Sequence, residues 1–385
     1  MLAVRKIYWP ALNIVGPGAL SEGIQEIAKM NLGKALIVTD KGIIEAQIID
    51  DVTKKLTENN LEFAIFSEVS PNPTVKNVNE GLELLKKENC DYIISLGGGS
   101  PQDTAKAIGI LATNGGDIRD YNGVFLSKNK SLPIIAINTT SGTASEVTIN
   151  YVITDEEKKV KMVIVDSNSL ATISINDPEL MLKKPKQLTA ATGMDALTHA
   201  IEAYTTLGAY RLSDALTLES IKIIGESLEN AVENGEDLEA RSKMAWGSFI
   251  AGLAFSNCGL GIVHSMAHQL GSEYNLPHGV ANAILLPEVV EYNLSSNYKK
   301  FKEIAEALGE NVKLLSDEEG AKKAVEAIRK LSNKIDIPKL KDTKFNLEDI
   351  QKLSNQAFND ICTGGNPKKV TVEAIENIYL KAYKN

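Results

Sequence analysis

Apolar and polar positions follow two regimes along the 385-residue chain. In the first half, short and nearly continuous apolar runs recur: Ala35-Leu36-Ile37-Val38, Phe63-Ala64-Ile65-Phe66, Tyr92-Ile93-Ile94-Ser95-Leu96 and Ile134-Ile135-Ala136-Ile137. Helical periodicity fills the intervals near 43–59 and 75–88, and from the glycines at 97–99 to about Thr113. Strands that are apolar on both sides, with helices between them, predict a parallel sheet covered on both faces. Tyr151–Ile153 and Met162–Val165 flank the charged segment Asp155–Lys159 and read as a β-hairpin; Ala171–Ile175 reads as a further strand.

Past Asp177-Pro178 the strand signals stop. Apolar spacing of three and four predicts helices over 188–206, 211–232, 238–256, 260–274, 279–293, 298–308, 317–334, 347–358 and 371–383. The expected organisation is an α/β domain over residues 1–182 followed by an all-α domain over 183–385. The boundary is placed in Lys183-Lys184-Pro185-Lys186.

Hydrophobic residues are 43% of the chain and charged residues 24%, enough apolar mass to exclude disorder as the main theme. The net charge of −9 removes the basic excess that a nucleic-acid binder carries. Cys90, Cys258 and Cys362 are odd in number and far apart, which argues against a disulfide framework or a thiolate zinc site and fits a reducing cytoplasm. The N-terminus lacks the apolar run of a signal peptide. Met244–Ser272 holds no Asp, Glu, Lys or Arg, but Gly259-Leu260-Gly261 interrupts it. It reads as two buried helices, and the expectation is a soluble cytoplasmic protein without membrane or nucleic-acid partners.

Two loops and one cluster carry candidate chemistry. Gly97-Gly98-Gly99-Ser100-Pro101 joins a strand to a helix, where close backbone approach, free N–H groups and the helix dipole favour a phosphate. The plainer reading is a tight turn, and the strand–loop–helix context favours the phosphate. The loop is not a GxGxxG fingerprint, and the candidate ribose carboxylate, Asp40, precedes it at the end of the first predicted strand. Taken alone, Asp40 reads as an ordinary helix N-cap. Asn138–Glu146 is dense in hydroxyls, and composition leaves open whether it grips a cofactor or caps the next element.

All four histidines fall between residues 199 and 278. Asp195 and His199 are four apart, as are His264 and His268, each pair in an apolar helical pattern and on one helix face. His278 begins a third helix. Asp195, His199, His264 and His278 supply one carboxylate and three imidazoles, a set suited to Fe²⁺ or Zn²⁺. His268, one turn beyond His264, is the candidate proton carrier. Each histidine alone reads as a satisfied core residue; the clustering of all four favours a metal. Spacing leaves open whether His268 is itself a ligand.

These motifs, with Thr139–Thr148, Asp177-Pro178-Glu179-Leu180, Thr192–Tyr204 and Gly259–Asn293, resemble the iron-containing (group III) alcohol dehydrogenases over essentially the whole chain. That family shares a fold group with dehydroquinate synthase and glycerol dehydrogenase. The resemblance implies a dehydroquinate synthase-like fold: a Rossmann-like dinucleotide domain and a helical metal domain with the active site in the cleft between them. It implies that Asp195, His199, His264 and His278 hold iron, sometimes zinc, with His268 near the substrate. Gly97, Gly98, Gly99 and Ser100 match its pyrophosphate loop, and Thr139, Thr140, Asn72, Lys161 and Leu180 match cofactor contacts. Asp40 matches the acid that favours NAD over NADP. Glu288 departs from the pattern, which commonly has histidine there, and its effect on the substrate pocket is open.

The implied activity is NAD-linked, reversible oxidation of a small primary alcohol or diol to its aldehyde by a homodimer or larger homo-oligomer. Rival readings are a glycerol or polyol dehydrogenase of the same fold group, a non-redox metal lyase or hydrolase, and a non-enzymatic metal-binding protein.

Overall fold

The computed structural model describes residues 4–158 and 160–385. Lys159, in the charged turn of the expected hairpin, lies outside the described residues. Two units emerge: the chain through Thr140 together with Ala144–Lys183, and Lys184–Asn385 together with the short segment Ser141–Thr143.

The first unit contains β1 (Leu12–Val15), α1 (Ala19–Lys29), β2 (Ala35–Asp40), α2 (Lys41–Glu45), α3 (Ile48–Glu58), β3 (Phe63–Val69), α4 (Val75–Lys87), β4 (Tyr92–Gly97), α5 (Gly99–Asn114), β5 (Ile134–Asn138), β6 (Asn150–Asp155), β7 (Val160–Val165) and β8 (Ile173–Asn176). Six strands form a parallel sheet in the order β1-β8-β5-β4-β2-β3. Both faces of its central strands are buried. Leu36, Val38, Ile93 and Ile134 join one apolar cluster, while Ala35, Ile37, Ile94 and Ile135 join the other. Full burial of each such isoleucine is worth roughly 1.5–3 kcal/mol, which explains the unbroken apolar runs. β6 and β7 pair antiparallel, with alternate residues buried.

The expected helix over 43–59 is two helices, because Gln47 adopts a left-handed φ of 57°. β1 and α1 were not expected at all. β1 is a four-residue edge strand of partly exposed residues, so it lacks the buried-run signal.

The second unit is helical: α6 (Lys186–Thr205), α7 (Arg211–Glu233), α8 (Leu238–Cys258), α9 (Ile262–Tyr274), α10 (His278–Asn293), α11 (Tyr298–Ala307), α12 (Asp317–Lys334), α13 (Ile350–Phe358) and α14 (Val372–Lys384). A single large apolar cluster runs from Ala190 to Ala382 and joins all nine. Gly142 of the borrowed segment accepts a hydrogen bond from Ser248 Oγ at 3.3 Å. The uncharged stretch 244–272 forms most of α8 and α9, which bend by 102° about their break; among the described residues no single helix is long and apolar enough to cross a membrane.

Candidate metal centre

α6 is buried along nearly its whole length, so its polar residues must find partners inside the unit. Asp195 and His199 project from one face of it. His264 comes from the first turn of α9, and His278 is the first residue of α10. The ligating atoms of these four side chains all lie within 4.8 Å of one another. Asp195, His199 and His264 are buried; the His278 side chain is 29% exposed and forms the open side of the group.

Asn282, one turn after His278, is fully buried at the centre of the arrangement. Its Nδ2 lies 2.7 Å from Asp195 Oδ1, 3.2 Å from His264 Nε2 and 3.1 Å from His278 Nε2. An amide N–H₂ has two protons for these three acceptors, so the acceptors converge on a point that suits a positive charge. His199 Nδ1 is buried with no hydrogen-bond partner, 4.0 Å from Asp195 Oδ2. An orphaned imidazole nitrogen beside a carboxylate is what a divalent cation satisfies, and the residues fit such an ion.

The electrostatics agree. Burial pushes the Asp195 carboxyl up, the His199 imidazole down and the His264 imidazole well below its ordinary value. The imidazoles are thereby kept neutral, the form that ligates. Phe255 stacks on His199 with ring centroids 4.2 Å apart and an interplanar angle of 11°. Glu202 places Oε2 2.6 Å from His264 Nδ1, and burial pushes its carboxyl up to about 7.

His268 belongs to a neighbouring group with Asp360 and Cys362. Its Nδ1 lies 2.8 Å from Asp360 Oδ2, and its ring stacks beside His278 at a centroid distance of 5.7 Å. Where spacing left its role open, the geometry sets it next to the four-residue cluster, with one nitrogen already engaged by a carboxylate.

The expected cofactor residues lie in the first unit. Gly97 ends β4 with φ of 146°, a conformation that favours glycine. Thr139 N donates to Gly97 O at 3.2 Å, and Thr140 is fixed by Asn138, whose Oδ1 accepts Thr140 N at 3.0 Å. Gly97–Ser100, Thr139 and Thr140 thus gather at the C-terminal ends of the adjacent strands β4 and β5. Asp40 ends β2, the other neighbour of β4, and its Oδ1 accepts Ile43 N at 3.0 Å, so the plain N-cap reading holds whatever else the carboxylate does. Ser100 Oγ donates to Pro71 O at 2.7 Å, and Lys161 Nζ donates to Asn72 Oδ1 at 2.9 Å. Leu180 is buried in the apolar cluster of one sheet face.

Glu288 has no part in the metal cluster. It is buried on α10, where Arg329 Nη2 donates to both of its oxygens, at 3.0 and 3.1 Å, and Asn385 Nδ2 donates to Oε1 at 3.0 Å. Lys381 adds an ion pair at 3.5 Å.

Sequence reasoning missed Glu202, Asn282 and Asp360. Glu202 is seven residues past Asp195 and Asn282 four past His278, spacings that mark a shared helix face. Asp360 arrives from a distant turn and has no local signal.

Residues 10–178 match the family described as iron-containing alcohol dehydrogenase, and residues 189–383 match the C-terminal part of the Fe-containing alcohol dehydrogenase family. The chain is 45% identical over 380 residues to an NAD-dependent methanol dehydrogenase of Bacillus methanolicus, covering 98% of this chain and 100% of that one. It is 47% identical over 371 residues to a lactaldehyde reductase of Escherichia coli (strain K12), covering 96% and 97%. A crystal structure of 1,3-propanediol oxidoreductase is similar with a TM-score of 0.97 at 46% identity, covering 99% of this chain and 100% of the other. With both halves matched and relatives this similar along nearly their full length, the chain belongs to the iron-containing alcohol dehydrogenase family.

Proposed function

We propose that the protein is an NAD-linked, metal-dependent alcohol dehydrogenase that interconverts a small primary alcohol or diol and its aldehyde. The observation that carries this reading is the quartet, with three of its members buried and His199 Nδ1 orphaned. Asp195, His199, His264 and His278 would hold the ion, with iron the first choice and zinc the alternative, because three nitrogens and one oxygen suit both. When bound, the ion supplies Lewis acidity toward an alcohol oxygen, and the dinucleotide supplies a hydride acceptor.

The chain's own residues do the rest. Gly97, Gly98, Gly99 and Ser100 offer backbone N–H groups to the pyrophosphate at the start of α5. Asp40 accepts ribose hydroxyls and repels a 2′-phosphate, which favours NAD. Thr139, Thr140, Asn72, Lys161 and Leu180 complete the cofactor surface. In alcohol oxidation a bound dinucleotide would take up the hydride, and the accompanying proton would leave through His268, whose Nδ1 Asp360 engages so that Nε2 is available for exchange. Phe255 shields one face of His199 from water.

The relatives named for methanol, lactaldehyde and 1,3-propanediol support small alcohols as substrates. A cytoplasmic homo-oligomer is part of the same proposal; three cysteines, odd in number and far apart in sequence, support the reducing compartment. The quartet disfavours the glycerol dehydrogenase reading, a subgroup that typically uses fewer protein ligands. The test is metal analysis of protein purified without added metal, joined to NADH absorbance with an alcohol panel and both NAD and NADP. Stoichiometric iron or zinc with alcohol-dependent NADH is the expected result. Retained metal without reduction of either cofactor would replace this reading with a non-redox one.

A further inference from the structure

The four-residue cluster explains Asp195 and His199 on α6 but not Glu202, which follows them on the same face and is 5% exposed. Its two oxygens are separately engaged. Oε1 accepts Val263 N at 2.7 Å, and Oε2 meets His264 Nδ1 at 2.6 Å. Val263 lies in the first turn of α9, where Gly261 provides no side-chain cap. Glu202 therefore caps α9 from another helix, at the positive end of its dipole. Gly261 leaves room for this: a Cβ there would stand 2.9 Å from Oε1.

In its ionised form Glu202 only accepts, and the bond to Nδ1 then requires that this nitrogen carry the imidazole proton and that Nε2 keep its lone pair. A second contact agrees, because Asn282 Nδ2 approaches His264 Nε2 from the opposite side at 3.2 Å as a donor.

We propose that Glu202 is a positioning residue of the metal centre: it fixes the tautomer and orientation of His264 and holds the start of α9 against the helix that bears Asp195 and His199. The proposal rests on the reading of the quartet as a metal site. Glutamine is nearly isosteric with Glu202 but has one acceptor oxygen for the two donors, Val263 N–H and His264 Nδ1–H. One donor is then left facing an amide N–H₂.

The experiment measures Zn²⁺ affinity by competition with a chromogenic chelator in the wild type, E202Q and E202D. The expected loss in E202Q is roughly 10–100-fold, with part of it recovered in E202D, which keeps two acceptor oxygens. Nitrogen-15 histidine spectra of the zinc-loaded wild type supply a readout independent of any variant's folding. With four histidines to assign, His264 is expected to carry its proton on Nδ1. A proton on Nε2, or wild-type affinity in folded E202Q, overturns the proposal. A wild type that binds no zinc and no iron overturns the metal-centre reading beneath it.

Discussion

Asp360 and His268 are 92 residues apart in sequence, yet Asp360 Oδ2 lies 2.8 Å from His268 Nδ1. The other oxygen, Oδ1, accepts Cys362 N at 2.9 Å, which anchors the carboxylate. Asp360→Asn keeps the shape but offers an amide that presents either a carbonyl or an N–H₂ to the ring. The expected outcome is a fall in kcat on the order of 10- to 100-fold with bound metal unchanged, read by steady-state kinetics and elemental analysis on the same preparation. An unchanged kcat would detach His268 from proton transfer.

His264→Ala removes one of the four converging donors. Metal content is expected to drop below stoichiometry, and alcohol-dependent NADH formation to vanish, while the helical circular dichroism signal persists. Chelation of the wild type should give the same loss of activity, and restoring Fe²⁺ should reverse it. Full activity in metal-free His264→Ala protein would sink the proposed mechanism.

Asp40→Asn separates the helix cap that this carboxylate makes from its proposed part in selecting NAD. Asparagine caps a helix about as well as aspartate, so the bond to Ile43 N and the stability it confers survive. The charge does not. The ratio of kcat/KM for NADP over NAD is expected to rise about tenfold or more, equivalent to about 1.4 kcal/mol. A ratio that stays put leaves Asp40 as a cap alone.

Cofactor affinity should depend on pH through Lys161. Burial pushes its ammonium down to about 8, with Asp103 opposing the shift. The cation is therefore present below about pH 8 and lost above it. Titration calorimetry should show NAD binding weaken between about pH 7 and 9, with a flat profile in Lys161→Met.

Glu146 makes a stability prediction with a definite sign. Burial pushes its carboxyl from 4.5 up to about 7, so the folded state holds this proton more tightly than the unfolded chain. Its stabilising contribution is complete below about pH 4.5 and lost as pH rises through about 7. Glu146→Gln is expected to stabilise the protein by about 1–3 kcal/mol at pH 8 and by little at pH 4, measured by denaturant titration.

What the sequence disclosed depended on which side of a residue carried the information. β2, β4 and β5 are buried on both faces, so their burial is written as unbroken apolar runs; β1, at the sheet edge, has no such imprint. The quartet was readable because Asp195 and His199 are one turn apart and histidine is scarce. Glu202 occupies the same face, but a glutamate within a helix ordinarily reads as solvated, and only packing shows that it is enclosed. Asp360 depends wholly on a fold that returns a remote turn to α9. Glu288 shows the converse: a departure in a recognised motif drew attention to chemistry, whereas its partners Arg329, Lys381 and Asn385 assign it to the scaffold.

The borrowed tripeptide Ser141–Thr143 bears on how relatives can be recombined. A chimera with its crossover near Lys184 joins these three residues from one parent to the helices of the other. In this chain Gly142 lies against Thr192 and accepts the hydrogen bond of Ser248. A foreign helical half must therefore offer a matching surface at those two positions. Crossover libraries should treat 142, 192 and 248 as one inherited block, although more than a hundred residues separate its ends.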